Sequence, residues 1–437
     1  MSQTTASQGY DAIVIGAGVM GASITLELAR SGRSVVCVDA GPAVGAGSTS
    51  SSSAIIRFNY STFDSVLTAW EAAHRWKDFA GHLGMTDPDG MANLVTTGCL
   101  ALDTPGDNRL QVSAIFRDIG IPFEDLTGDQ IQTRMPALAK GDFWPPRSVD
   151  DPQFADEPTA DIAGYYTTEG GFIDDPMRAA QNFMFAARSH GAEVRLHSAV
   201  IEIPQSDGKV DGVVLASGEH ISAPVVINVG GPAASALNRL AGVADEMKIS
   251  SRPLRQEVHV VPAPESFTTE SGSLVSDPGV GVYFRPGPGG TVLIGSSEPA
   301  CDELQWLDDH TDFVNTPTPD LFEAQVLRAA RRLPDMRIPL APVGLADLYD
   351  ASDDWAPLYD KSSLSGFFMA CGTSGNQFKN APVVGYFLRA LVDAHDAGQD
   401  HDEDPVHVTG EFTGREINLA AFSRLREMTN TTNSVLG

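Results

Sequence analysis

Hydrophobic spacing along this chain switches between strand-like runs and helical periods, and the sharpest switch comes at its start. Ala12-Ile13-Val14-Ile15 is a short apolar run of the kind that forms a buried parallel strand. It leads straight into Gly16-Ala17-Gly18-Val19-Met20-Gly21, which fits G-x-G-x-x-G. Gly16 permits the tight turn, Gly18 lets backbone approach a pyrophosphate, and Gly21 lets a helix pack closely on the strand. Ala22 to Arg30 has helical spacing through Ile24 and Leu28, and its positive N-terminal end would sit at the phosphates. Ser34 to Val38 predicts a second strand ending on Asp39, a carboxylate ~20 residues past the glycines, where this unit holds an acid for a ribose hydroxyl. The combination predicts a bound dinucleotide. Whether it is a nicotinamide or a flavin is not decided by this unit.

Further along, Phe63 to Leu83 and Asp107 to Ile119 have helical spacing, and Pro136 to Pro158 reads as irregular surface. Gly171-Phe172-Ile173-Asp174 is expected to open a long helix through Arg188, ending at Gly191. Strands are expected at Val194–His197 and Ala199–Ile203, then a hairpin at Asp207-Gly208, then Val213–Leu215, Ile221 and Val225–Val229 running into Gly230-Gly231. Such a glycine turn at a strand end commonly faces a ligand. From Arg255 to Ile294 the texture becomes β segments with Pro/Gly turns, implying a second, antiparallel domain. A helix is expected within Phe313–Leu333, a last core strand at Gly366–Cys371, a break at Gly372-Thr373-Ser374-Gly375, and a helix at Pro382–His395. Residues 1–9 are expected to be disordered, and Asp400–Asp404 to be a solvated linker.

At 437 residues the chain can bury a large core and is expected to form two joined domains. Its net charge of -28 argues against nucleic acid and anionic membranes as partners. No apolar run approaches the ~20 residues of a membrane span, and no signal peptide is recognised, so a cytoplasmic protein is expected. Cys37, Cys99, Cys301 and Cys371 lack metal or redox spacing and read as isolated buried thiols. No metal site is expected. The small-residue run Gly45 to Ala54 reads as a linker by composition, yet its place after the second strand suits a loop wrapping a cofactor with N–H groups and hydroxyls.

In order along the chain stand the glycine motif with Asp39, Ser48 to Arg57, Gly170-Gly171-Phe172-Ile173-Asp174, Val225 to Gly231, and Gly372 to Lys379. These blocks resemble the amine-oxidising flavoproteins of the D-amino acid oxidase superfamily, in the sarcosine oxidase and glycine oxidase branch. The resemblance implies FAD and an α/β chain (α+β overall), a Rossmann-like FAD-binding domain interleaved with an antiparallel β-sheet substrate domain. The implied FAD-binding segments are about 10–85, 160–250 and 350–398, the substrate domain about 86–159 and 251–349, with 399–437 as a C-terminal extension. The cofactor set implied is Gly16, Gly18, Val19, Met20, Gly21, Asp39, Ala40, Gly47, Ser48, Thr49, Ser52, Ser53, Ala54, Val200 (through its backbone, at adenine), Gly230, Gly231, Gly372, Ser374, Gly375, Asn376, Gln377, Phe378 and Lys379.

The same resemblance matches Arg57 and Lys379, one of only six lysines, to residues that hold the substrate carboxylate. A two-pronged guanidinium and a point-charge ammonium suit one carboxylate. Tyr283 and Tyr349 fall at pocket positions. Asp347 stands where some relatives attach flavin through a cysteine, and no histidine lies in the Ser48–Ala54 loop, so non-covalent FAD is expected. Leu293 falls near the place of an oxygen-activating lysine and Ser297 near that of a pocket histidine, which leans toward a slow oxidase or a dehydrogenase. The expected reaction is oxidation of the C–N bond of a carboxylate-bearing amine by hydride transfer to flavin N5, followed by imine hydrolysis. Oxygen or an electron-transfer acceptor would take the electrons, and an oligomer is left open. The alternatives are a 2-hydroxy-acid dehydrogenase, for which His259 is the nearest base, and a non-catalytic flavin-binding subunit. Gly372-Thr373-Ser374-Gly375-Asn376 misses the last glycine of a hydrolase nucleophile elbow.

Overall fold

The structure is a computed structural model that describes residues 9–105 and 108–437. The expected disorder at 1–9 and the start of the expected helix at Asp107 therefore fall largely outside the described residues. The first apolar run forms strand β1 (Ala12–Ile15), followed by helix α1 (Val19–Arg30) and strand β2 (Val35–Val38). All four residues of each strand are buried, as a parallel sheet covered on both faces requires. The sheet has six strands. β1 lies between β2 and strand Val226–Asn228, and the far sides carry Glu193–Arg195 and then Phe367–Cys371 with Leu358–Lys361. Only the Leu358–Lys361 edge is antiparallel. The chain therefore departs from β1 to one side through β2 and to the other through Val226–Asn228, and the crevice between these exits is where open α/β sheets bind ligands.

One face of this sheet is covered by α1, by the helix Pro176–Ser189 and by the helix Ala381–Asp396. The second body is a nine-stranded, mostly antiparallel sheet. Its longest strand, Ser251–Pro262, pairs with Thr291–Ser296 on one side and with Gly344–Ser352 over nearly its whole length on the other. Ala163–Thr167 and Cys99–Leu102 extend the same sheet through Leu274–Asp277. The helix Pro319–Arg332 packs across it and seals a core containing Phe284, Val326 and Ile294.

Four expectations are corrected. Gly171–Ile173 does not open the long helix but is a strand, paired with β3 (Ile55–Ile56) and with Leu94–Thr96. The helix begins at Pro176, whose missing N–H costs nothing there, behind the Asp175 side chain that accepts from Arg178 N–H. Cys301 is exposed, unlike the other three thiols. The Asp400–Asp404 stretch is a charge-paired turn: Asp400 and Asp402 both meet Lys361, Asp402 also meets Arg424, and His401 is buried between them. The expected helix over Phe63–Leu83 is two pieces, α2 (Phe63–Lys77) and Phe79–Leu83, broken at Asp78.

Candidate active site

A single elongated cavity of about 410 Å³ runs from Asp39 past the glycine turn to Lys379, between the two sheets. At one end, the glycine turn is fixed by contact. Gly16 has φ +112°, and a Cβ there would lie 2.3 Å from the Val229 carbonyl oxygen across the crevice. A Cβ on Gly21 would lie 1.9 Å from the Gly16 oxygen, so α1 touches the turn backbone. The Asp39 carboxylate braces this loop by accepting from Ala17 N–H and Gly41 N–H, each at 2.6 Å. α1 starts at Val19 behind Gly18, which has no side chain to cap it. Thr49 takes only the Val19 N–H, and the Met20 and Gly21 N–H groups, which line the cavity, have no partner among the described residues.

The serine run is not a slack linker. Thr49 Oγ1 accepts from Val19 N–H at 3.1 Å, Ser48 Oγ donates to the Leu348 carbonyl at 3.0 Å, and Ser53 Oγ lies 3.0 Å from the Tyr283 hydroxyl. The buried Arg285 donates to the Ser53 carbonyl while its guanidinium covers the Phe172 ring. Burial pulls Arg285 down to about 10. The loop thus ties the glycine-turn helix to the antiparallel sheet by its hydroxyls.

At the other end, Arg57 and Lys379 flank Tyr60. Arg57 lies 4.6 Å from the centre of the Tyr60 ring and Lys379 4.8 Å. Both are buried. Arg57 donates to the Asn59 and Val435 carbonyls, each at 2.6 Å, and Lys379 donates to the Tyr60 hydroxyl and the Asn376 carbonyl. Among the described residues no carboxylate forms an ion pair with either cation. Burial, with the Arg57 charge second, holds the Lys379 ammonium well below the usual lysine range. A group whose folded pKa is depressed below an unfolded value of about 10.4 destabilises the fold at neutral pH, and that penalty fades as pH rises toward 10.4. Lys379→Met is therefore expected to raise Tm at pH 7, and the gain should shrink by pH 10. An equal gain at both pH values would contradict a displaced lysine.

Burial raises the Tyr283 and Tyr349 phenols above their usual range. Beneath them Asp350, pushed up to about 6 by burial, accepts from Gly372 N–H at 2.6 Å and holds the Gly372–Gly375 turn. Four residues of the expected cofactor set do not line the cavity: Ala40, Val200, Gly372 and Ser374. Ser374 is fully buried and bonds Ser352, and Val200 sits on a small sheet with Val213–Leu215. The rest of that set lines it, joined by Gln256, Val258, Thr373, Val435 and Leu436. Sequence reasoning passed over Glu298, whose carboxyl accepts from Gln256 Nε2 at 3.0 Å and from Val435 N–H at 2.7 Å. His259 faces away from the cavity, against the Phe322 ring, and burial lowers it to about 4.

The sequence profile described as "FAD dependent oxidoreductase" matches residues 11–391. The chain belongs to that family. The cofactor of this oxidoreductase is FAD, and the cavity fits it. The glycine turn leaves room that side chains would fill, and among the described residues the Met20 and Gly21 N–H groups at the start of α1 and Asn376 Nδ2, deep in the lining, have no partner. Glycine oxidase of Geobacillus kaustophilus (strain HTA426) is 24% identical over 413 residues, covering 90% of this chain and 95% of the relative. The crystal structure of the glycine oxidase from Geobacillus kaustophilus superposes with a TM-score of 0.72 at 21% identity, covering 96% of this chain and 99% of that one. The L-proline dehydrogenase of P. horikoshii gives 0.71 at 20% identity, covering 90% and 95%. L-alpha-glycerophosphate oxidase of Mycoplasma pneumoniae, solved with FAD bound, gives 0.69 at 16% identity, covering 88% and 95%. None of the described helices is long and apolar enough to cross a membrane.

Proposed function

We propose that this oxidoreductase oxidises the C–N bond of a carboxylate-bearing amine, an N-methyl or other amino acid. The observation that carries the reading is the pair of buried cations, Arg57 and Lys379, without an acid partner in the cavity that also holds the glycine turn. Two cations brought together out of water repel, and a substrate carboxylate between them would relieve that repulsion while gaining charge-assisted hydrogen bonds. The glycine oxidase and proline dehydrogenase neighbours, by name enzymes of amino acids, support the same class.

FAD, when bound, supplies the acceptor for the hydride that leaves the substrate carbon. The Gly16–Gly21 turn, the start of α1, Asp39 and the Ser48–Ala54 loop would hold its dinucleotide part, and Gly230, Gly231 and Thr373–Phe378 its flavin end. Arg57 and Lys379 fix the carboxylate and so the orientation of the α-carbon, making the reacting step unimolecular. Tyr283 and Tyr349 wall the space above. The amine must be neutral when hydride leaves, and water hydrolyses the resulting imine to a carbonyl compound and an amine. The hydroxy-acid alternative is not favoured, because His259 is turned toward the helix Pro319–Arg332 rather than into the cavity.

The test is anaerobic addition of sarcosine, L-proline, glycine and D-amino acids to the yellow protein. Bleaching of the flavin band by one of them is the expected result, and reoxidation on admitting air separates oxidase from dehydrogenase. A flavin that no amine bleaches would overturn the reading. With Asp347 in the cavity wall and no histidine in the serine loop, acid precipitation is expected to leave the yellow colour in the supernatant. Colour in the pellet would mean a covalent bond.

A further inference from the structure

The segment Ser434–Gly437 reaches the cavity through Val435 and Leu436, and places Val435 between two functional groups. Glu298 Oε2 accepts from Val435 N–H at 2.7 Å, and Arg57 Nη2 donates to the Val435 carbonyl at 2.6 Å. The valine side chain packs with Leu254, Tyr283, Ala351 and Trp355. An α-amino acid presents the same atoms in the same order: a nitrogen donor, the α-carbon with its side chain, and a carboxylate oxygen. The cavity therefore holds Val435 by its nitrogen and its carbonyl, the two ends by which it would hold such a ligand.

Glu298 is built for more than bracing a chain end. Its backbone has φ +52°, a left-handed conformation that is unfavourable for a non-glycine residue and persists only where its surroundings impose it. Gln256 Nε2 orients its other oxygen. The residue keeps some exposure while its carboxyl group is enclosed, and burial pushes that carboxyl up to about 8. The charged and titratable groups facing it are Asp302, Tyr283 and Tyr349, none of them cationic. Among the described residues no cation pairs with it, so the neutral acid is favoured, and a substrate ammonium would favour the ionised form.

Resting on the amine-oxidation reading above, we propose that Glu298 binds the substrate nitrogen opposite Arg57 at the carboxylate, and that Val435 is a displaceable internal surrogate for an α-amino acid in that place. As the ammonium arrives, its positive charge ionises the Glu298 carboxyl, whose proton leaves to water, and the carboxylate then takes one proton from the ammonium. The N–H bond breaks, an O–H bond forms, and the nitrogen keeps its lone pair for the oxidation. Segment 434–437 leaves as the ligand enters, because both cannot use Arg57 Nη2 and Glu298 Oε2 together.

The experiment uses the FAD-loaded protein, Glu298→Gln, and a chain shortened after Asn433. Affinity is read from the flavin absorbance change for sarcosine, L-proline and D-alanine, and for the matching acids without nitrogen: butyrate, cyclopentanecarboxylate and propionate. Hydrogen exchange of residues 430–437 is followed with and without each ligand. The expected result is that Glu298→Gln weakens the amino acid at least tenfold and leaves its nitrogen-free counterpart within twofold. The shortened chain should bind both at least tenfold tighter, and ligand should speed exchange in the segment. Equal effects of Glu298→Gln on both ligand types, no tightening in the shortened chain, or a segment whose exchange slows on binding would overturn the proposal. If an amino acid bleaches the flavin while these results fail, only this inference falls; if none bleaches it, the functional reading falls as well.

Discussion

Arg57→Met is expected to lower kcat/KM for carboxylate-bearing amines by about 10³-fold, since leaving one charge of a desolvated pair without its partner costs about 3–5 kcal/mol and 1.4 kcal/mol is tenfold. The guanidinium is buried and its fork is aimed inward, with Nη1 fixed on the Asn59 carbonyl and Nη2 on the residue that fills the cavity end. Methionine keeps the stem volume and removes the charge, so the loss should be in catalysis and not in fold. Flavin content and Tm close to wild type are the controls. Arg57→Lys should recover only part of the loss, because a point charge cannot reproduce a two-pronged grip. A Met variant within tenfold of wild type on every carboxylated amine would remove Arg57 from the substrate site. Lys379→Met should act in the same direction but more weakly, about 10- to 100-fold, the worth of one hydrogen bond to a charged group.

Gly16→Ala is expected to abolish FAD binding and to destabilise the protein by about 3 kcal/mol or more, combining left-handed strain with overpacking. The added carbon would stand 2.3 Å from the Val229 oxygen, and that oxygen belongs to backbone between a buried strand and the Gly230 turn. Neither side can yield without separating β1 from its parallel neighbour. Flavin-to-protein ratio and thermal unfolding check this together. A yellow variant with an unchanged Tm would mean that the turn is not the cofactor's seat.

The two halves of the site differ in how far the sequence discloses them. The glycine turn, α1 and Asp39 are readable because one local pattern sets both conformation and ligand geometry. Arg57 and Lys379 are reached only through the family resemblance, across a gap of more than three hundred residues, and the structure places both beside Tyr60. Gly171–Ile173 was misread because a three-residue strand buried on all positions has no period, and only its partners, β3 and Leu94–Thr96, make it a strand. The serine run shows the same limit. Its composition matches a linker, while its order comes from Val19, Leu348 and Tyr283, which lie elsewhere in the chain. Glu298 was invisible for a stronger reason. Nothing near it in sequence marks it, and its defining contacts are with Gln256 and with Val435, 137 residues away.

The strand order of the six-stranded sheet has a consequence for how the protein is made. The FAD cradle needs the Gly16 turn, the Val226–Asn228 strand that flanks it, and the turn after Phe367–Cys371, which ends in Lys379. A ribosome delivers these in that order, with nearly the whole chain between the first and the last. The crevice is therefore half-built through the synthesis of everything before Lys379, and cofactor capture waits on that late turn.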